Sequence, residues 1–172
     1  SYLFRVMEIG HLEHLYNGRR IHPSIDGLME QHAFAPGNTN IYDSGHPQFS
    51  LEDTCLEMSS FGKGDIREPF VELTLSDGSE TSDFLFEKFK QGTGKEEFET
   101  LPGSYDESGE VEQLSVTLRD KNSGVILELH YYVYEDCDVI TRSAKLINES
   151  GDAVKLNRLM SLQLDLEPSD YV

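Results

Sequence analysis

Four runs in the second half of the chain decide the fold: residues 112–120 (EQLSVTLRD), 125–135 (VILELHYYVYE), 138–148 (DVITRSAKLIN) and 153–166 (AVKLNRLMSLQLDL). In the first run, Leu114, Val116 and Leu118 alternate with polar residues. A period of two places alternate side chains on opposite faces of a strand. Short clusters of turn-forming residues separate the runs. The stretch therefore predicts one antiparallel meander, which forms one sheet of a large antiparallel β-sandwich.

The first half of the chain contains four further strand patterns and one long loop. The predicted strands are Tyr2–Met7, Leu12–Tyr16, Phe70–Leu75 and Asp83–Phe89. The turn residues 76–79 (SDGS) predict a hairpin between the last two strands. Residues 22–61 show little period-two signal and contain one short helical candidate after Ser24. We therefore predict a single all-β domain, residues 1–172, with few short helices and one long loop.

Charge and composition limit the possible partners. The chain has 14 basic and 32 acidic residues, which gives a net charge of −18. The negative electrostatic field of such a protein repels phosphate backbones and anionic lipids. No apolar run approaches the roughly 20 residues that span a bilayer. We expect neither a nucleic-acid nor a membrane partner. The first residues already resemble a strand, which predicts that the chain is a piece of a longer protein.

The cysteines indicate a compartment but no pairing. Only Cys55 and Cys137 occur, and a secreted domain stabilised by disulfides usually has more. The sequence therefore favours a cytoplasmic protein with reduced thiols, and whether the two cysteines pair stays open.

Residue patterns for metal or nucleophile chemistry are weak. His11 and His14 are three residues apart, which on a strand directs the two rings to opposite faces, so they cannot share a metal ion. With 32 acidic residues, many carboxylate pairs can reach the roughly 5 to 9 Å separation that glycoside hydrolysis needs, and no pair stands out. Nucleophile elbows and phosphate-binding loops are also absent from the sequence. We predict no metal, no cofactor and no catalytic residue in this chain.

Two segments remain as candidate binding features. Tyr132 and Tyr134 share one strand face; as an exposed pair they would stack on a sugar, whereas in a half-buried strand they would pack under a loop. In the segment FGKGDIREP, residues 61–69, Arg67 is suited either to a ligand or to a structural ion pair with Asp65 or Glu68. The residues alone leave both alternatives open.

Three motifs, in order along the chain, resemble the N-terminal β-domain of bacterial α-galactosidases of glycoside hydrolase family 36. They are GHLEHLYNG at residues 10–18, GKGDIREP at residues 62–69 and YEDCDVITRS at residues 134–143. The resemblance implies a supersandwich similar to galactose mutarotase, preceding a catalytic (β/α)₈ barrel. That barrel carries the nucleophile and the acid/base for retaining hydrolysis of terminal α-galactosyl groups. The chain alone is then expected to be inactive.

The same resemblance implies a role for the domain. Members of this family assemble, commonly as tetramers, with the β-domain against a neighbouring barrel. The domain is then expected to support the barrel, the oligomer and the rim of the pocket for the α-galactoside. Asp53 and Arg67 are the residues that the resemblance assigns to substrate binding. Two alternatives are a free-standing carbohydrate-binding domain and an interaction domain without any sugar contact.

Overall fold

The computed structural model describes residues 1–22, 24–29, 31–33, 37, 40–98, 100, 102–107 and 109–165. Within these residues the protein is all-β, with eight strands and three 3₁₀ helices of three residues each. The strands are β1 Tyr2–Val6, β2 Leu12–Asn17, β3 Val71–Thr74, β4 Phe84–Thr93, β5 Glu112–Asp120, β6 Ile126–Tyr134, β7 Val139–Ile147 and β8 Lys155–Leu159. The 3₁₀ helices are Ile25–Gly27, Leu51–Asp53 and Glu135–Cys137. The predicted all-β class is confirmed, and residue 166 and parts of the 22–61 loop lie outside the described residues.

Strands β4 to β7 form a four-stranded antiparallel sheet in the order β4-β5-β6-β7. Three of the four runs of the predicted meander therefore pair in sequence, as β5, β6 and β7. The fourth run does not, because β8 pairs with β3, from Val71 opposite Leu159 to Thr74 opposite Lys155. Alternation defines the two faces of a strand but not its neighbour, so the pattern could not show that β8 joins another sheet.

The predicted hairpin between β3 and β4 is also wrong. The turn itself forms, since the Leu75 amide donates to the Ser79 carbonyl at 2.8 Å and Gly78 has φ +84°. Beyond that turn, however, the chain enters a different sheet, where β4 pairs with β5. A tight turn determines the local reversal of the chain, whereas the pairing also depends on where each apolar face is buried.

One apolar core joins the sheets into a sandwich. Buried side chains of β5 and β6 pack with those of β3 and with partly buried side chains of β1, β7 and β8. Among the fully buried residues are Phe70, Leu73, Leu118 and Leu127. A second cluster contains Met7, Ile9, Tyr42, Phe49, Leu51 and Leu56. It anchors residues 42–56 of the long loop beside the β1–β2 hairpin, and so positions the Leu51–Asp53 helix.

Candidate functional site

The loop before β3 has a backbone that depends on glycine. Gly62 and Gly64 have φ +94° and +87°, a region that L side chains rarely adopt. A Cβ at Gly64 would collide with the side chain of Asn40, whose Nδ2 donates to the Gly64 carbonyl at 2.8 Å. These constraints fix the course of the loop and direct Arg67 back towards the Leu51–Asp53 helix.

Arg67 lies at the centre of a dense set of hydrogen bonds. Its Nε and Nη2 donate to the two carboxylate oxygens of Asp65, each at 2.8 Å, and its Nη1 donates to Asp165 at 2.7 Å. Its Nη2 also donates to the carbonyls of Leu51, at 2.8 Å, and Thr54, at 2.9 Å. Hydrogen bonding to Asp65 and the charge of Asp165 raise the pKa of Arg67, against a lowering effect of burial.

The structure brings the two residues of the predicted sugar site together. The carbonyls that accept from Arg67 flank Asp53 in sequence, and Asp53 itself is exposed. Within the described part of the chain, the Asp53 carboxylate has no hydrogen bond or ion pair. The ion pair of Arg67 with Asp65 forms, whereas Glu68 pairs with Arg158 instead. Asp53 therefore presents an exposed carboxylate on a turn whose backbone carbonyls are hydrogen-bonded to the partly buried Arg67.

Three buried carboxylates lie behind this loop, and each has a histidine partner. Glu13, Glu57 and Asp83 are at most 1% exposed. They contact His32 at 3.2 Å, His14 at 3.3 Å and His11 at 3.0 Å, respectively. The sequence analysis missed these pairs, because His11 and His14 reach carboxylates more than 40 residues away. No local spacing could have revealed them.

Asp83 connects the loop to the core. It accepts from the Tyr42 hydroxyl at 2.9 Å and lies 3.0 Å from His11 Nε2 and 3.6 Å from Lys63 Nζ. Burial alone would raise the pKa of the Asp83 carboxyl, but hydrogen bonds from His11 and Tyr42 and the charge of Lys63 outweigh it, and the pKa is lowered. The ionised carboxylate is therefore the form that the folded protein stabilises.

This lowered pKa predicts a pH dependence of stability. Because the folded pKa lies below the unfolded value, Asp83 contributes stability above the unfolded pKa of about 3.9, and this contribution is lost as the pH falls through the folded pKa. We expect Asp83→Asn to lower the urea midpoint at pH 7. We also expect the difference in urea midpoint between the wild type and the variant to become smaller as the pH falls from 5 to 3. Urea titrations of both proteins at several pH values measure this difference. A difference that does not change with pH would contradict the assignment.

Of the two alternatives for Tyr132 and Tyr134, the structure shows packing under a loop and not an exposed pair that could stack on a sugar. Tyr132 is 1% exposed, and Lys95 Nζ lies 5.5 Å from the centre of its ring. It forms part of the wall of a cavity of about 610 Å³ between strands β6 to β8 and a loop that contributes Lys95, Phe98 and residues 102–104. The half-buried Tyr134 bonds to Ser104 at 2.6 Å between the two hydroxyl oxygens. A loop covers this face of β6, so it offers no flat aromatic surface for a sugar.

The described residues contain no group of three or more His, Cys, Asp or Glu side chains arranged to hold a metal ion. Cys55 and Cys137 are not joined by a disulfide. In the same described ranges, no helix has the length and apolar character to cross a membrane.

The fold defines the chain as an antiparallel β-sandwich domain in which Arg67, before β3, bonds to the turn at residues 51–54. Residues 10–172 match the glycosyl hydrolase family 36 N-terminal domain. The chain belongs to this family, and the resemblance noted from its three motifs is confirmed.

Relatives and solved structures agree with that assignment. The chain is 32% identical to the α-galactosidase AgaA of Geobacillus stearothermophilus over 99% of its own length and 24% of AgaA. A crystal structure of the α-galactosidase of Lactobacillus brevis superposes with a TM-score of 0.88 and 33% identity, covering 96% of this chain and 22% of that one. A variant of AgaA in complex with raffinose gives a TM-score of 0.87 and 29% identity over 95% of this chain and 23% of that one. The chain thus spans about a quarter of the length of these relatives.

Proposed function

We propose that this chain is the N-terminal β-domain of an α-galactosidase. The observation that carries the proposal is the match over 99% of the chain to an α-galactosidase about four times its length. Retaining hydrolysis of terminal α-galactosyl groups then belongs to a (β/α)₈ barrel elsewhere in the protein. The domain supports that barrel and the assembly of subunits, and it has no activity of its own.

Within this role, the exposed loop contributes to the rim of a sugar pocket. An ionised carboxylate accepts hydrogen bonds from hydroxyl groups through both of its oxygens, and such charge-assisted bonds are the stronger ones. Asp53 has this chemistry, since its carboxylate is exposed and makes no bond to the described residues. Arg67 belongs to the same rim, because it bonds to the backbone on both sides of Asp53. The burial of Tyr132 argues against one of the surfaces that a free-standing sugar-binding domain could have used, the aromatic face of β6.

The test is steady-state kinetics on the full-length protein with raffinose and a chromogenic α-galactoside. We expect hydrolysis by the wild type, and about a tenfold rise in KM with a smaller change in kcat for Asp53→Asn, since one charge-assisted bond to the sugar is weakened. Asp152→Asn is the matched control, because Asp152 is also an exposed aspartate but lies in the turn between β7 and β8. Equal kinetics for the two variants would overturn the assignment of Asp53 to the rim.

A further inference from the structure

The 3₁₀ helix that presents Asp53 is weakly held by its own backbone. The Asp53 amide donates to the Ser50 carbonyl at 3.3 Å, and the Thr54 amide donates to the Leu51 carbonyl at 3.4 Å. Both distances exceed the 2.7–3.2 Å that is usual for such bonds. The Thr54 hydroxyl adds one bond of 2.9 Å to the Ser50 carbonyl. A turn with such long bonds needs support from outside to hold one conformation.

Arg67 supplies this support from across the loop. One nitrogen, Nη2, bonds to the carbonyls of Leu51 and Thr54, and so closes the turn on both sides of Asp53. Bonds to charged donors are roughly twice as strong as those between neutral groups. The guanidinium is itself fixed, because the Asp65 carboxylate accepts hydrogen bonds from its Nε and Nη2. The Asp65 side chain is only 2% exposed.

Asp165 fixes the remaining side of the guanidinium. Its Oδ2 accepts from Arg67 Nη1 at 2.7 Å, from the Leu56 amide at 3.2 Å and from Gln163 Nε2 at 2.9 Å. Each of the three guanidinium nitrogens of Arg67 therefore has at least one partner within the domain. Most of its N–H groups are therefore directed towards the protein, and this leaves little capacity for a ligand.

We propose that Arg67 is a positioning residue that sets the direction of the Asp53 carboxylate and does not itself contact the sugar. The inference rests on the proposed function, since it assumes that Asp53 faces an α-galactoside. Arginine suits this role because its planar fork binds a carboxylate and two carbonyls at the same time. A lysine has a single nitrogen and cannot reproduce that geometry. The pair that the family resemblance assigns to substrate binding thus divides into one contacting residue and one supporting residue.

The first test requires no sugar. Hydrogen exchange of the peptide that contains residues 51–54 is measured on the full-length protein, for the wild type, Arg67→Ala, Arg67→Lys and the control Arg119→Ala. Arg119 lies on β5, far along the chain from the turn, and forms ion pairs with Glu87 and Glu149. We expect exchange to be about tenfold faster in both Arg67 variants and unchanged in the control, since the turn loses its bonds to the guanidinium. Unchanged exchange in Arg67→Ala would overturn the proposal.

The second test asks whether the effect of Arg67 passes through Asp53. Arg67→Ala and Asp53→Asn are each expected to raise KM about tenfold. The first variant misplaces the Asp53 carboxylate, and the second weakens its hydrogen bond to the sugar. The double variant should be within about twofold of Asp53→Asn alone, because a residue that acts through another adds nothing once that partner is gone. Effects that multiply in the double variant would show that Arg67 contacts the sugar directly, which overturns the positioning role.

The two proposals fail in different ways. Faster exchange in Arg67→Ala together with an unchanged KM in both single variants would overturn the rim role of Asp53. It would support only the stabilisation of the turn by Arg67. A raised KM for Asp53→Asn with normal exchange in Arg67→Ala would support the rim role of Asp53 and overturn the positioning role of Arg67.

Discussion

Replacing Glu57 by leucine should lower the free energy of unfolding by about 3–5 kcal/mol, the usual cost of removing one partner from a buried ion pair. Glu57 is 0% exposed and accepts from the hydroxyls of Tyr2 and Tyr131, each at 2.7 Å. Its Oε1 also lies 2.9 Å from Nη1 of Arg142, a side chain only 6% exposed. Without Glu57, the guanidinium would be left as a buried charge with no carboxylate.

The two tyrosines strengthen this argument. Burial and the negative charge of Glu57 raise the pKa values of Tyr2 and Tyr131 well above the ordinary value. Both therefore stay protonated at all pH values at which the protein is studied, and both donate to the carboxylate. The loss of Glu57 would leave these two donors unsatisfied as well.

Urea unfolding of the full chain measures the effect as a shift of the midpoint at an unchanged slope. Glu68→Leu is the control, because Glu68 is 75% exposed in its pair with Arg158, and exposed pairs contribute less than about 1 kcal/mol. The double variant Glu57→Leu with Arg142→Leu should recover part of the loss, since apolar residues often replace a buried pair without cost. A single variant as stable as the wild type would show that the buried pair of Glu57 with Arg142 does not stabilise the folded protein.

Local patterns predicted the strands because each strand carries its own signal. Alternation along residues 112–120 reports which side chains face the core, and the observed β5 has the same bounds. The partner of β8 was not predictable in this way, since its sequence contains no information about β3, more than 80 residues earlier. Pairing between distant strands depends on the burial of the whole core, and a single strand pattern does not record it.

The candidate site shows the same limit. Glycines at positions 62 and 64 and a charged cluster marked the loop as a special segment, and one of the two alternatives for Arg67 was an ion pair with Asp65. The bonds from Arg67 to Leu51 and Thr54, however, cross more than ten residues of irregular loop. Glu57 also stands in the long loop without a strand pattern, and only the fold shows that it is buried.

Replacing Tyr132 by alanine should also lower the free energy of unfolding by about 3–5 kcal/mol, as for other large aromatic side chains in a core. Alternation placed Tyr132 on the face of β6 that also holds Glu128, and the sequence alone left open whether that face is exposed or packs under a loop. In the structure β6 is a central strand, and residues 95–98 and 102–104 lie over this second face, so that the ring lies beneath Lys95 and beside His130. Both faces of the strand are thus buried around Tyr132, and truncation would enlarge the cavity that this side chain lines.

Tyr134→Ala is the matched control, since it lies two residues along the same face but is only half-buried and bonds to Ser104 at the edge of the loop. We expect it to cost about 1 kcal/mol, the typical value for a single substitution. Tyr132→Phe keeps the ring and should retain most of the stability, because packing dominates the contribution of this side chain. Urea midpoints of the three variants separate these contributions. Equal midpoints for Tyr132→Ala and Tyr134→Ala would mean that the loop does not cover β6 in solution, and the outer face of this strand would then be open to a ligand.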